Sequence, residues 1–205
     1  MKKVSFALNI CLLGSLDSGK EVFMDYLKSS ALEMSFINDV GKMIDYHEML
    51  IVYNEIPIKI RIFLSDNLEK VIDYYDKIKN IDVVILSLNL YDVKSLDEYN
   101  VEKIKELKEN LMLRGVLTLV GLDVKKISNK PASFTSSKIS NQDLIRKAKE
   151  LEVLYCFKIE NKKDDLLQFY DQILNDFIFK FQYSSPELFN QAKSYGNKLS
   201  IKRNN

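Results

Sequence analysis

The residues with the clearest chemical meaning lie near the start of the chain, where Gly14, Gly19 and Lys20 have the spacing G-x-x-x-x-G-K. In a phosphate-binding loop, glycines let the backbone turn tightly, amide groups point at phosphate oxygens, and the lysine neutralises them where a helix begins. An apolar run over residues 4–13 precedes the motif, and a helical pattern follows it to about Ser30. The sequence therefore predicts a ligand-binding loop made of Gly14, Ser15, Asp17, Ser18, Gly19, Lys20 and Glu21.

The residue after Lys20 departs from the usual motif. Ser or Thr normally stands there, and its hydroxyl coordinates Mg²⁺ beside the β- and γ-phosphates. This chain has Glu21 instead, which can bind a metal but adds negative charge next to the phosphates, as does Asp17. We therefore expect weakened binding of a Mg²⁺–nucleotide. The alternative is that the glycines only form a tight strand–helix turn inherited from a nucleotide-binding ancestor.

The elements that position this loop alternate between strand and helix along the chain. Further strand patterns cover residues 48–54, 57–64, 82–88, 116–121 and 152–159, and the first two of these are predicted to pair as an antiparallel hairpin. Further helical patterns cover about 68–79, the segment that begins with a capping box at Ser95 and Glu98, the segment capped by Ser140 with Asp143, and 166–181. Residues 30–46 have weak periodicity and are predicted to form a long loop.

This order of elements predicts an α/β fold: a doubly wound, mostly parallel six-stranded sheet with one antiparallel edge strand. We expect one domain over residues 1–183 and a polar, loosely ordered tail over 184–205. The net charge of +1 gives no general attraction to nucleic acid. There is no apolar run of the ~18 residues that a membrane span needs and no lipidation motif. The sequence thus predicts a cytoplasmic protein.

Over about residues 5–182 the chain resembles the Ras-like small GTPase family of P-loop NTPases. The resemblance rests on the Gly14–Lys20 loop, on the strand 82–88 with the helix after it, on Val120 and Gly121 at the end of the next strand, and on the aromatic-rich final helix. It implies the P-loop fold, binding of GTP or GDP with Mg²⁺, GTP hydrolysis, and signalling through protein partners.

The positions that hold metal and γ-phosphate in that family have changed here. The family carries D-x-x-G after the hairpin, followed by a Gln that orients water, and the matching residues are Leu64, Asn67 and Leu68. Asp66 fits the metal position only with a shift of two residues, so the candidate metal ligands are Glu21 and Asp66. Residues 30–46 contain no threonine that could sense the γ-phosphate. We assign no catalytic residue.

The positions that read guanine in the family have changed as well. The family carries N-K-x-D after the fifth strand, but Leu122 stands for the Asn and Lys125 for the carboxylate. Asp123 can contact a base only if the loop is shifted. The family's S-A-K loop appears as Ile159, Glu160 and Asn161. We therefore expect guanine specificity to be lost.

These departures leave three hypotheses. The first is a degenerate family member, a pseudo-GTPase that binds protein partners through loop 30–46, strand 48–54 and helix 68–79. The second is a GTP-binding GTPase with weak hydrolysis, in which Asp66 and Asp123 replace the lost residues. The third is a generic or phospho-receiver-like doubly wound domain, against which the Lys20 loop and the early hairpin argue.

Overall fold

A computed structural model describes residues 3–39, 44–69, 80–110, 115–125 and 138–204. Within these residues the strands are β1 (Phe6–Leu13), β2 (Glu33–Asp39), β3 (Ile44–Tyr53), β4 (Ile56–Ser65), β5 (Val83–Asn89), β6 (Val116–Leu122) and β7 (Tyr155–Ile159). The α-helices are α1 (Lys20–Ser30), α2 (Ser95–Glu98), α3 (Val101–Asn110), α4 (Asn141–Glu150), α5 (Asp164–Ser184) and α6 (Pro186–Asn204). Residues 70–79, most of the predicted helix 68–79, lie outside the described residues.

The strands form one sheet in the order β2-β3-β4-β1-β5-β6-β7. The five strands from β4 to β7 in this order run parallel to their neighbours, and β3 is antiparallel to both β2 and β4. The α/β class, the mostly parallel sheet and the β3–β4 hairpin are therefore confirmed. Because parallel strands end at the same edge of a sheet, the loops after β1, β4, β5, β6 and β7 share one end of the molecule.

The central strand β1 is buried because helices cover both faces of the sheet. On one face, Leu8 of β1 belongs to a core that includes Phe23 of α1 and Phe169 of α5. On the other face, Cys11 belongs to a core that includes Leu107 of α3. Because β1 buries side chains on both faces of the sheet, its sequence is a nearly continuous apolar run. The packed strand fixes the position of the loop that follows it.

Strand β2 is a difference from the sequence-based prediction, which placed a loop over residues 30–46 and made 48–54 the edge. The described residues form seven strands rather than six, and β2 takes the edge while β3 becomes an inner strand. Backbone pairing explains the difference, because β3 begins at Ile44 and its outer side hydrogen-bonds β2 from Glu33 to Asp39. Most of the β2 side chains are exposed, so no buried alternating pattern marks the strand in the sequence.

The C-terminal segment also differs from the prediction of a loosely ordered tail, because α6 spans Pro186–Asn204 and packs on the β3–β4 hairpin. Ala192 is fully buried in the core on that side of the sheet. A Cβ on Gly196 would lie 1.9 Å from the carbonyl oxygen of Glu55, so glycine permits the close approach. Lys193 forms an ion pair with Glu55 at 2.9 Å. Close packing thus orders a segment that carries little apolar periodicity.

One of the two predicted helix caps is confirmed. Ser140 caps α4, since its side chain accepts a hydrogen bond from the Asp143 amide and the Asp143 side chain accepts from the Ser140 amide. The prediction at Ser95 is wrong: the residue before α2 is Lys94, and the Ser95 hydroxyl donates instead to the Asp92 carbonyl at 2.6 Å. Among the helices in the described part of the chain, none is long and apolar enough to cross a membrane.

Candidate functional site

The Gly14–Lys20 segment connects β1 to α1 at the shared edge of the sheet. Gly14 follows the strand, a 3-10 turn covers Leu16–Ser18, and Gly19 caps the helix with φ +85°. This left-handed conformation favours glycine. The second glycine of the motif therefore has a backbone role that the spacing predicted.

Gly14 lies against two buried hydroxyl groups. A Cβ at this position would stand 2.2 Å from Ser87 Oγ and 2.4 Å from Ser18 Oγ. The two hydroxyls are hydrogen-bonded to each other at 2.9 Å, and Ser87 donates to the Leu13 carbonyl at 2.8 Å. Ser18 is fully buried. Ser18, which was predicted to bind a ligand, is thus buried beneath the loop, and its hydroxyl is hydrogen-bonded to Ser87 of β5.

Lys20 is buried with 5% of its surface exposed, and its ammonium group is bound by the protein itself. Nζ donates to the Gly14 carbonyl at 2.5 Å, to the Ser65 carbonyl at 3.0 Å, and to Asp66 Oδ1 at 2.7 Å. Gly14 directly follows β1, and Ser65 ends the neighbouring parallel strand β4. The lysine therefore points into the loop, as a phosphate-binding lysine does, but a carboxylate already lies against its charge.

The other predicted residues of the loop face outward. Asp17 and Glu21 are exposed, and Ser15 is partly buried. Glu21 and Asp66 were the candidate metal ligands, and the described residues contain no cluster of three or more His, Cys, Asp or Glu side chains that could hold a metal ion. Asp17 and Glu21 thus place negative charge beside the loop, and a third carboxylate, Asp66, is paired with Lys20.

At the other side of the same edge, Asp123 follows β6 and its side chain is fully buried. Lys138 donates to Asp123 Oδ2 at 2.6 Å, and the Tyr91 hydroxyl donates to the same oxygen at 3.4 Å. Lys138 also donates to Glu160 Oε1 at 2.7 Å. The carboxylate that was predicted to contact a base thus belongs to an internal ion-pair network, which we call the Asp123 network: Tyr91, Asp123, Lys138, Lys158 and Glu160.

Electrostatics stabilise the charged forms in this network. Burial lowers the pKa of Lys138, but the hydrogen bonds with Asp123 and Glu160 outweigh it, so the pKa is raised above its ordinary value. The hydrogen bonds from Lys138 and then from Lys158 lower the pKa of Glu160 to about 2. Lys158 lies 3.1 Å from the same carboxylate. Lys138 and Glu160 therefore both remain charged at neutral pH.

Lys125, which the resemblance aligned with the family's base-reading carboxylate, contacts the ring of Tyr91. Its Nζ lies 4.0 Å from the ring centroid, a cation–π distance. Gly19 and Val124 connect the two sides of the site, since a Cβ on Gly19 would lie 3.3 Å from Val124 Cγ2. The Gly14–Lys20 segment and the Asp123 network are thus adjacent parts of one surface.

No protein-family model matches the chain, and no curated protein matches it either.

Sequence reasoning missed Tyr91 and Lys138 and gave Glu160 no role. One signal was present: Asp123 follows an apolar strand directly, and a carboxylate at such a position needs a partner. The sequence could not say which of the thirty Lys and Arg residues would provide it. Asp66 was predicted only as a metal ligand, and the sequence did not indicate its ion pair with Lys20.

Proposed function

We propose that this chain is a degenerate member of the Ras-like small GTPase family that works as a protein-interaction module without a bound nucleotide. The observation that carries the proposal is the pairing of charges at both sides of the site. Lys20 is bound to Asp66 on the phosphate-loop side, and Asp123 is bound to Lys138 on the other side. A nucleotide would have to break both ion pairs before it met the groups that bind it.

The charge near the loop supports the same conclusion. Asp17 and Glu21 are exposed next to Lys20, and their carboxylates would repel a polyphosphate. Glu21 stands where the family has the hydroxyl residue that binds Mg²⁺, so the cation that would offset this repulsion lacks its usual ligand.

The proposed partner surface is the edge strand β2. Met34 and Phe36 are 59% and 57% exposed, and both lie in the uncharged centre of the strand. Natural edge strands usually carry charge, proline or a bulge that prevents further pairing. An uncharged edge with two large apolar side chains suits an extended segment of another protein. Strand 48–54, most of which belongs to β3, extends this partner surface as the inner neighbour of β2.

The test of the nucleotide-free state is the nucleotide content of the purified protein. The protein is denatured with acid, and the supernatant is analysed by anion-exchange chromatography against GTP, GDP and ATP standards. We expect no guanine or adenine nucleotide. A near-stoichiometric amount of any of them would overturn the proposal.

The partner surface is tested by affinity capture with two matched variants. Phe36→Asp changes the β2 edge, and Phe179→Asp changes a phenylalanine of α5 with similar exposure, 60%. We expect proteins that bind the wild type and Phe179→Asp to be lost with Phe36→Asp. If Phe36→Asp retains every partner, the edge strand is not the interaction surface.

The second candidate function is nucleotide binding with slow hydrolysis. It is favoured by the conformation of the loop, since Gly19 is left-handed, α1 has no side-chain N-cap, and Lys20 contacts the Gly14 carbonyl. These features leave a helix N-terminus suited to an anion. Mg²⁺-dependent release of phosphate from GTP, abolished by Lys20→Met, would establish this function in place of the first.

A further inference from the structure

The hydrogen bonds that Lys20 makes within the protein limit what else its ammonium group can bind. A lysine ammonium has three N–H donors. Here the three acceptors are the Gly14 carbonyl, the Ser65 carbonyl and Asp66 Oδ1, at 2.5, 3.0 and 2.7 Å. Every donor of the buried ammonium is therefore used, and a phosphate oxygen can bind Lys20 only by displacing one acceptor.

The three acceptors differ in how easily they can be displaced. The Gly14 and Ser65 carbonyls belong to backbone at the ends of β1 and β4, and Gly14 N donates to Ser65 O at 3.2 Å, which ties the two ends together. Asp66 contributes a side chain that is 45% exposed and can rotate about its own bonds. The carboxylate is thus the acceptor that an incoming anion would replace.

Asp66 also matches the chemistry of the anion that it would exclude. A carboxylate and a phosphate both present charged oxygen acceptors, and both form charge-assisted hydrogen bonds with an ammonium. We propose that Asp66 is an internal counter-anion that closes the loop, so that the chain carries a latent site for a phosphate group, blocked by its own carboxylate. This inference rests on the proposed function, because it explains how the phosphate side of the site is kept free of ligand.

The ligand chemistry of the latent site is a phosphate or pyrophosphate group rather than a whole nucleotide. The Asp123 network has a cation of its own, because Lys138 Nζ donates to Asp123 Oδ2 at 2.6 Å and to Glu160 Oε1 at 2.7 Å. Removal of the Asp66 charge should therefore make Lys20 available to an anion and leave the ion pair between Lys138 and Asp123 in place. Inorganic pyrophosphate and GTP are expected to bind the opened loop with similar affinity.

The variant that tests the proposal is Asp66→Asn, which removes the charge with little change of shape. Glu69→Gln is the matched control, because Glu69 is a nearby carboxylate in an ion pair at 2.7 Å with Lys103, and its side chain is 62% exposed. Inorganic pyrophosphate and, separately, GTP are titrated into each protein by calorimetry at low salt. We expect Asp66→Asn to bind pyrophosphate about tenfold or more tightly than the wild type and Glu69→Gln do. Adding Lys20→Met to Asp66→Asn should abolish the gain.

Each outcome has a separate meaning. If Asp66→Asn melts like the wild type and gains no pyrophosphate binding, the internal counter-anion is refuted, while the nucleotide-free function stands. If the wild type and Glu69→Gln bind pyrophosphate as tightly as Asp66→Asn does, it is refuted as well. Saturable binding of GTP to the wild type would overturn the proposed function. Should Asp66→Asn fail to fold, Asp66→Ser is titrated in its place with the same criteria.

Discussion

Lys138 Nζ lies 2.6 Å from Asp123 Oδ2, and the aspartate side chain is completely buried. A carboxylate at such a position is costly unless a cation and hydrogen bonds compensate it. The lysine comes from the segment before α4, fifteen residues further along the chain. The same lysine binds Glu160 after β7, so one cation joins the ends of two parallel strands.

Removal of this cation should destabilise the fold. Lys138→Met leaves Asp123 buried with the Tyr91 hydroxyl but without its lysine, and breaking one side of a buried ion pair costs about 3 kcal/mol. Lys162→Met serves as the control, because Lys162 is exposed. Urea denaturation monitored by circular dichroism gives both free energies of unfolding. Equal losses in the two variants would show that the pair contributes nothing specific.

The Asp123 network should also make stability depend on acidic pH. The pKa of Glu160 is lowered from 4.5 to about 2, so its contribution is complete above pH 4.5 and is lost as the pH falls toward 2. Because a third of the side chain is exposed, screening reduces that contribution to about 1 kcal/mol. The stability of the wild type should exceed that of Glu160→Gln at about pH 6 and approach it at about pH 3. A constant difference over that interval would contradict the assignment.

The contact between α6 and the hairpin predicts an unusual sign for a glycine substitution. Gly to Ala inside a helix normally stabilises by about 1 kcal/mol, but a Cβ on Gly196 would meet the Glu55 carbonyl at 1.9 Å. We expect Gly196→Ala to lower stability by about 1 to 3 kcal/mol and to speed proteolysis within α6. Asn197→Ala, at an exposed position, should do neither. A more stable Gly196→Ala protein would show that α6 does not pack closely on the hairpin.

The buried hydroxyls under the Gly14–Lys20 segment predict coupling between two substitutions. Gly14→Ala places a methyl group 2.2 Å from Ser87 Oγ and should cost about 2 kcal/mol. Ser87→Ala loses its hydrogen bond to the Leu13 carbonyl and should cost about 1 kcal/mol. The double variant should lose less than the sum, because removal of the Ser87 hydroxyl relieves one of the two close contacts of the methyl group, while the contact with Ser18 Oγ at 2.4 Å remains. Strict additivity in urea denaturation would contradict this geometry.

The sequence predicted the parts of the fold that local patterns determine. Apolar runs located the inner strands, Gly19 and Lys20 located the loop between β1 and α1, and Ser140 located a helix start. Strand β2 was missed because backbone pairing with β3, rather than buried side chains, makes it a strand. Helix α6 was missed because Ala192 and Gly196 bury it by close approach, which leaves no pattern of large apolar residues.

The sequence likewise predicted only some features of the candidate site. The G-x-x-x-x-G-K spacing identified Lys20, and the family resemblance identified Asp66 as a candidate metal ligand. The sequence could not show that they bind each other, nor that Lys138 pairs with Asp123, because these contacts depend on how distant segments fold together. Charge type can be read from a sequence, but the choice of partner is a tertiary property.

The most direct test of the central claim is a calorimetric titration of the wild-type protein with GTP, GDP and ATP in the presence of Mg²⁺. If the chain's own ion pairs occupy both sides of the site, none of these nucleotides should give saturable heat at concentrations up to about 1 mM. Saturable binding of GTP or GDP with a dissociation constant of about 1 μM or lower, lost on Lys20→Met, would contradict the account.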